Sequence, residues 1–121
     1  MYAFNPTLRL YGLSGSYSIR EAEKIGLLTA SEVFADRTYQ SDGSLTPRNQ
    51  LNALIIQTDA ALQQVLKMVV NKQITSVTGQ TINVIAETIC LHGDGQQAVA
   101  FAKAIHNGLK ASHINIKSLS N

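Results

Sequence analysis

The chain has 121 residues, 45% of them hydrophobic, which suffices for one packed domain (residues 1–121) and excludes general disorder. Ten basic and eight acidic residues leave a formal net charge of +2, the basic residues are dispersed, and no aromatic residues alternate with them, so a nucleic-acid surface is not expected. Cys90 is the single cysteine and so makes no internal disulfide; no run approaches the roughly 18–20 apolar residues of a membrane span and the N-terminus lacks an apolar signal region, so a soluble cytoplasmic protein is expected.

Residues 8–13 alternate imperfectly and end at Gly12 and Gly15, which predicts a short strand running into a Gly/Ser loop. Ser18-Ile19-Arg20-Glu21 has the spacing of a capping box, opening a short helix with Ala22 and Ile25 on its apolar side. Gly26 stops that helix in the C′ position, and Leu27 supplies the apolar contact that usually follows. Residues 29–35 form the next predicted strand. Residues 36–52 hold Asp, Gly, Ser, Pro and Asn and read as one long loop, a length that usually signals function.

Thr58 is the predicted cap of a helix whose Leu62, Val65, Leu66 and Val69 recur at helical spacing, with Asn71 at its end. Residues 74–91 predict strands broken at Gly79. The last of them, 88–91, is apolar throughout and is expected to be buried on both faces, with Cys90 as a small hydrophobe within it. His92-Gly93-Asp94-Gly95 then makes a strand-to-helix turn. Asp94 is placed to cap a final helix with the stripe Ala98, Phe101, Ala102, Ile105 and Leu109, and Ile114 and Ile116 suggest a short terminal strand. The order β-α-β-loop-α-β-β-α-β predicts an α/β fold with mainly parallel strands.

Three groups of residues have the makings of chemistry. Glu32, Asp36 and Arg37 stand at the end of an apolar strand, with Arg48 after the polar turn Ser41-Asp42-Gly43-Ser44. In a regular strand Glu32 and Asp36 share a face, where two carboxylates can divide acid and base roles or hold a metal or a polarised water. The alternative is an ion-pair network among Glu32, Asp36, Arg37 and Arg48 that braces the loop. His92-Gly93-Asp94 follows a buried strand, where ligand sites of parallel α/β folds gather. His92 there is a candidate general base or metal ligand; Asp94 either orients it or caps the helix. His106 and His113 lie at no recognisable metal-ligand spacing from it. Gly12-Leu13-Ser14-Gly15-Ser16 matches neither phosphate-binding glycine pattern and is read as a connecting loop.

Three strings in order resemble the LamB/YcsF family, the A subunit of bacterial ATP-dependent 5-oxoprolinase. They are Glu32-Val33-Phe34-Ala35-Asp36-Arg37-Thr38-Tyr39, then Asp42-Gly43-Ser44-Leu45-Thr46-Pro47-Arg48, then Thr88-Ile89-Cys90-Leu91-His92-Gly93-Asp94. The resemblance implies a deformed (β/α) barrel similar to that of polysaccharide deacetylases. It implies opening of the 5-oxoproline lactam to glutamate, coupled to ATP hydrolysis, together with partner subunits B and C. By the same likeness Glu32, Asp36, His92 and Asp94 are the expected catalytic groups and Arg37 and Arg48 the expected substrate contacts. Whether a metal takes part is left open.

Family members also carry an N-terminal half with an acidic string, a Gly-Phe-His-Ala-Gly-Asp string and a Lys-Pro-His-Gly string, none of which occurs here. The chain therefore corresponds to the C-terminal half. Half a barrel has two open strand edges. Self-association, or pairing with a separately encoded N-terminal half, is expected, as is inactivity of the chain alone. The competing expectations are a truncated, non-catalytic assembly module and, by fold analogy, a metal-dependent deacetylase-like hydrolase.

Overall fold

The computed structural model describes residues 7–93 and 97–119. Its principal sheet is parallel, as the alternation of elements predicts. Strands β1 (Arg9–Leu13), β2 (Leu28–Phe34) and β5 (Thr88–Cys90) lie in the order β1-β2-β5, with Leu13 opposite Glu32 and Glu32 opposite Thr88. Helix α1 (Tyr17–Lys24) crosses from β1 to β2. Helix α2 (Thr58–Leu66) runs on through a π-helical turn, Lys67–Asn71, into the antiparallel hairpin β3 (Gln73–Thr75) and β4 (Thr81–Asn83). Helix α3 (Ala98–Ala111) follows β5.

The period-two alternation of β2 divides the molecule. Val33 and, just past the strand, Ala35 are fully buried in a core with Val65 of α2, Met68 of the π-helical turn, and Ile105 and Leu109 of α3. Glu32 and Phe34 fall on the opposite face and stay half-buried. The helices approach closely because Gly108 of α3 has no side chain where Leu62 of α2 packs.

Helix ends account for several local differences from expectation. The cap of α1 is Ser16, whose hydroxyl accepts from the Ile19 amide at 3.4 Å; Ser18 lies inside the helix, and Glu21 pairs with Lys24 instead of reaching back. Its C-terminal end is a Schellman motif as predicted. Gly26, at φ 82°, donates to Glu23, and Leu27 donates to Ala22. Thr58 does not cap α2: the cap residue is Gln57, with no side-chain bond. The helical run does stop after Asn71, through Lys72 in the left-handed conformation at φ 58°. The described part of α3 is preceded by Gln97, which makes no side-chain cap bond; Asp94, the expected cap, lies outside the described residues.

Two strand expectations are corrected. Thr88, Ile89 and Cys90 are half-buried, because among the described residues β5 is the outer strand of its sheet. Ile114 and Ile116 form no strand. Ile114 instead closes α3, donating to the Leu109 carbonyl at 2.9 Å while His113 takes the left-handed position at φ 62°. Among the described residues no helix is long and apolar enough to cross a membrane.

Candidate active site

Beyond Ala35, whose amide still donates to the Cys90 carbonyl at 3.0 Å, the chain leaves the sheet, and the segment that follows folds back on itself through backbone bonds. Ile55 donates to the Asp36 carbonyl at 2.9 Å, Thr38 to the Ala53 carbonyl at 3.0 Å, and Arg37 bridges Leu54. Tyr39 pairs with Leu45 across a turn in which Gly43 sits at φ 88° and the exposed Asp42 carboxylate accepts from the Ser44 amide and hydroxyl. Those bonds hold the Asp42 carboxyl below its ordinary range. The predicted long loop is therefore a ribbon folded back on itself. It lays Leu54, Ile55 and Ile56 beside Asp36.

The sequence motifs meet at Asp36 and His92. The carboxylate of Asp36 stands 3.1 Å from His92 Nδ1 through either oxygen, and Oδ2 also accepts from the His92 amide at 3.3 Å. An ionised carboxylate only accepts, which assigns the shared proton to Nδ1; in that tautomer the ring's lone pair is on Nε2. The ring is stacked on Phe34, with centroids 5.9 Å apart at 25°. Both partners are largely covered, at 14% exposure for the Asp36 side chain and 28% for that of His92.

This pair lines a cavity of about 470 Å³, within the range of small-ligand sites. Leu54, Ile56, Leu91 and Phe101 give it apolar walls, and Arg48 contributes a guanidinium from an exposed turn. One carboxylate–imidazole pair, one cation and an apolar wall match a small, largely apolar molecule with an anionic group. Among the described residues no group of three or more His, Cys, Asp or Glu side chains is gathered as metal ligands would be.

The other candidates lie elsewhere. Arg37 is buried and does not line the cavity, since it follows Asp36 by one residue and turns to the other side. Its Nη2 donates to the Thr46 carbonyl at 2.7 Å, and its Nε is buried without a partner. Glu32 stands on β2 outside the cavity wall, close enough to Cys90 and Tyr39 that its charge raises both, after burial as the larger cause. Among the described residues no ion pair joins any two of Glu32, Asp36, Arg37 and Arg48, so the bracing network is not what the structure builds. The Gly12–Ser16 segment is a connection. Ser14 accepts from the Ile85 amide, Ser16 caps α1, and Gly12 makes room for Ile19.

Sequence reasoning missed three contributors. Leu54-Ile55-Ile56 is an apolar run inside an otherwise polar segment, a signal available in the sequence. Tyr39 is buried, with its hydroxyl accepting from the Phe34 amide at 2.9 Å. Gln64 of α2 donates to the Phe34 and Arg37 carbonyls, and nothing in its sequence context marks it.

The LamB/YcsF family profile matches residues 1–121. The chain belongs to the LamB/YcsF family. It is 52% identical over 119 residues to the 5-oxoprolinase A subunit of Geobacillus thermodenitrificans, covering 98% of this chain and 46% of that protein. It is 49% identical over 120 residues to the 5-oxoprolinase A subunit of Bacillus subtilis, covering 99% of this chain and 47% of that protein. Among solved structures, the lactam utilization protein of Thermus thermophilus superposes with a TM-score of 0.89 at 30% identity, over 98% of this chain and 47% of that one. The chain thus spans about half the length of the relatives it matches, and the family resemblance read from the three strings is borne out.

Proposed function

We propose that this LamB/YcsF chain supplies one wall of the lactam-hydrolysing site of a 5-oxoprolinase. The observation that carries the reading is the Asp36–His92 pair, with Nδ1 3.1 Å from both carboxylate oxygens, in the lining of a cavity that also includes Arg48. Relatives named as the A subunit of 5-oxoprolinase and a neighbour named a lactam utilization protein support the substrate class.

On this reading Arg48 binds the carboxylate of 5-oxoproline, and Leu54, Ile56 and Phe101 receive the ring methylenes. Water adds to the lactam carbonyl as Nε2 of His92 takes its proton. The imidazolium formed is stabilised through Nδ1–H by Asp36, and the proton returns to the ring nitrogen as the C–N bond breaks to give glutamate. An unreactive amide needs activation, for which ATP is the proposed source. Among the described residues, the lining of the cavity holds Arg48 as its one Arg or Lys and no glycine, a poor match for a triphosphate. Binding ATP is accordingly assigned to the rest of a complete assembly, together with partner subunits B and C. Asp94 joins the site in this proposal through its place after His92. Glu32 would complete the far wall from the open face of β2, and Arg37 would serve through the ribbon that carries Asp36 rather than by touching substrate.

The three-stranded sheet, whose outer strands among the described residues are β1 and β5, is proposed to be a segment of a deformed (β/α) barrel. Covering those edges calls for a second copy or an N-terminal half. The test is 5-oxoproline consumption with ATP. The chain alone is expected to show none, and turnover is expected once an N-terminal half and subunits B and C are added. Turnover by the purified chain alone would refute the partial-site reading. A folded, complete assembly without turnover would leave the non-catalytic module as the function.

A further inference from the structure

We propose that Gln64 is a positioning residue for the Asp36–His92 pair, acting through the backbone on either side of Asp36. The proposal rests on reading that pair as the working one. Strand β2 ends at Phe34, so Asp36 lies past the last rung of the ladder, where sheet pairing no longer sets its direction. Gln64 takes over that task from α2. Its side-chain nitrogen donates to the Phe34 carbonyl at 3.0 Å and to the Arg37 carbonyl at 2.8 Å, which uses both of its hydrogens.

The two carbonyls bracket Ala35 and Asp36. Between them the Ala35 amide donates to Cys90 at 3.0 Å and the Asp36 carbonyl accepts from Ile55 at 2.9 Å, so the backbone around the carboxylate is fixed from several sides. The same side-chain amide has a second effect. Phe34, anchored by its carbonyl, is the residue on which the His92 ring is stacked. One side chain therefore locates both members of the pair: Asp36 from behind and His92 through its stacking partner. The chemistry required is narrow. Two hydrogens on one atom at that reach are available from glutamine; methionine offers no donor, ionised glutamate only accepts, and asparagine is one methylene shorter.

The experiment is 15N-edited NMR of the imidazole rings in the whole chain, assigned by a His92→Gln variant. In the wild type the neutral His92 ring is expected as the Nδ1–H tautomer. Gln64→Met is expected to lose that signature, the two ring nitrogens moving toward the averaged shifts of a free imidazole. Gln64→Glu at neutral pH is the second variant and is expected to do the same. Val65→Ala, which opens a cavity one residue along α2 and touches neither carbonyl, is expected to keep the wild-type ring shifts despite lower stability. Unchanged ring shifts in both Gln64 variants would overturn the proposal, as would an equal change in Val65→Ala. The pair itself is tested separately by Asp36→Asn. If that substitution leaves the ring shifts unchanged, the Asp36–His92 reading fails and the role of Gln64 falls with it. If Asp36→Asn moves them and the Gln64 variants do not, only the role of Gln64 falls.

Discussion

Tyr39→Phe is expected to destabilise the chain at neutral pH and to make it more resistant to alkali. The phenol is 1% exposed, and its oxygen accepts from the Phe34 amide at 2.9 Å. Removing it leaves that N–H without a partner in a half-buried position, which costs about 1–2 kcal/mol and lowers Tm by roughly 4–8 °C for a chain of this size. The pH dependence has the opposite sign. Burial, the main cause, raises the phenol from 10.0 to about 12. Because the folded value lies above the unfolded one, the stability associated with the neutral phenol is fully present below pH 10 and is lost as pH climbs toward 12. Two units of difference amount to about 2.7 kcal/mol. Wild type should therefore be the more stable protein at about pH 8, and the two should converge and cross as the pH approaches 12. Urea denaturation followed by circular dichroism at a series of pH values checks this. Stability curves that stay parallel from pH 8 to 12, or a variant as stable as wild type at pH 8, would refute the reasoning.

Lys72 ends the helical run in the left-handed region, at φ 58°, so Lys72→Gly should stabilise by about 1 kcal/mol, read as a higher urea midpoint. Burial, then the charges of Glu32 and Asp36, raises the Cys90 thiol. Its alkylation by iodoacetamide should therefore be slower in the folded chain than in urea at the same pH, and equal rates would contradict the placement. Arg48→Ala in an assembled enzyme should raise KM for 5-oxoproline by about tenfold or more with a smaller effect on kcat, since a lost charge-assisted contact to the substrate carboxylate weakens binding before it affects the reacting atoms.

Much of this architecture could be read from residue patterns, and the misses have physical causes. The strand at 28–34 and the helix at 98–111 were legible because their apolar residues recur at periods that only one secondary structure satisfies. Gly26 revealed its helix end because a left-handed residue is required there. Ser18 misled because a capping-box spacing recurs by chance, and the hydroxyl that wins is the one at the geometric start, Ser16. The pairing of Asp36 with His92 spans 56 residues, and no local rule couples positions so far apart; their strings were visible, their contact was not. Arg37 looked like a ligand for want of knowing that the chain turns just after β2, which buries the guanidinium under Thr46. Gln64 left no trace in the sequence, because an amide bonded to two backbone carbonyls is indistinguishable in composition from a solvated one.

The central claim is that Asp36 and His92 together provide the base for lactam hydrolysis. Its most direct measurement uses a chimera in which this chain replaces the matching segment of the Bacillus subtilis relative, to which it is 49% identical. The rate of ATP-dependent 5-oxoproline hydrolysis is then compared between the parent chimera and its His92→Gln variant in the presence of the partner subunits. The account predicts an active chimera and a kcat about 10²–10⁴-fold lower in the variant, with the fold retained. A variant that folds and turns over 5-oxoproline at the parent rate would contradict it.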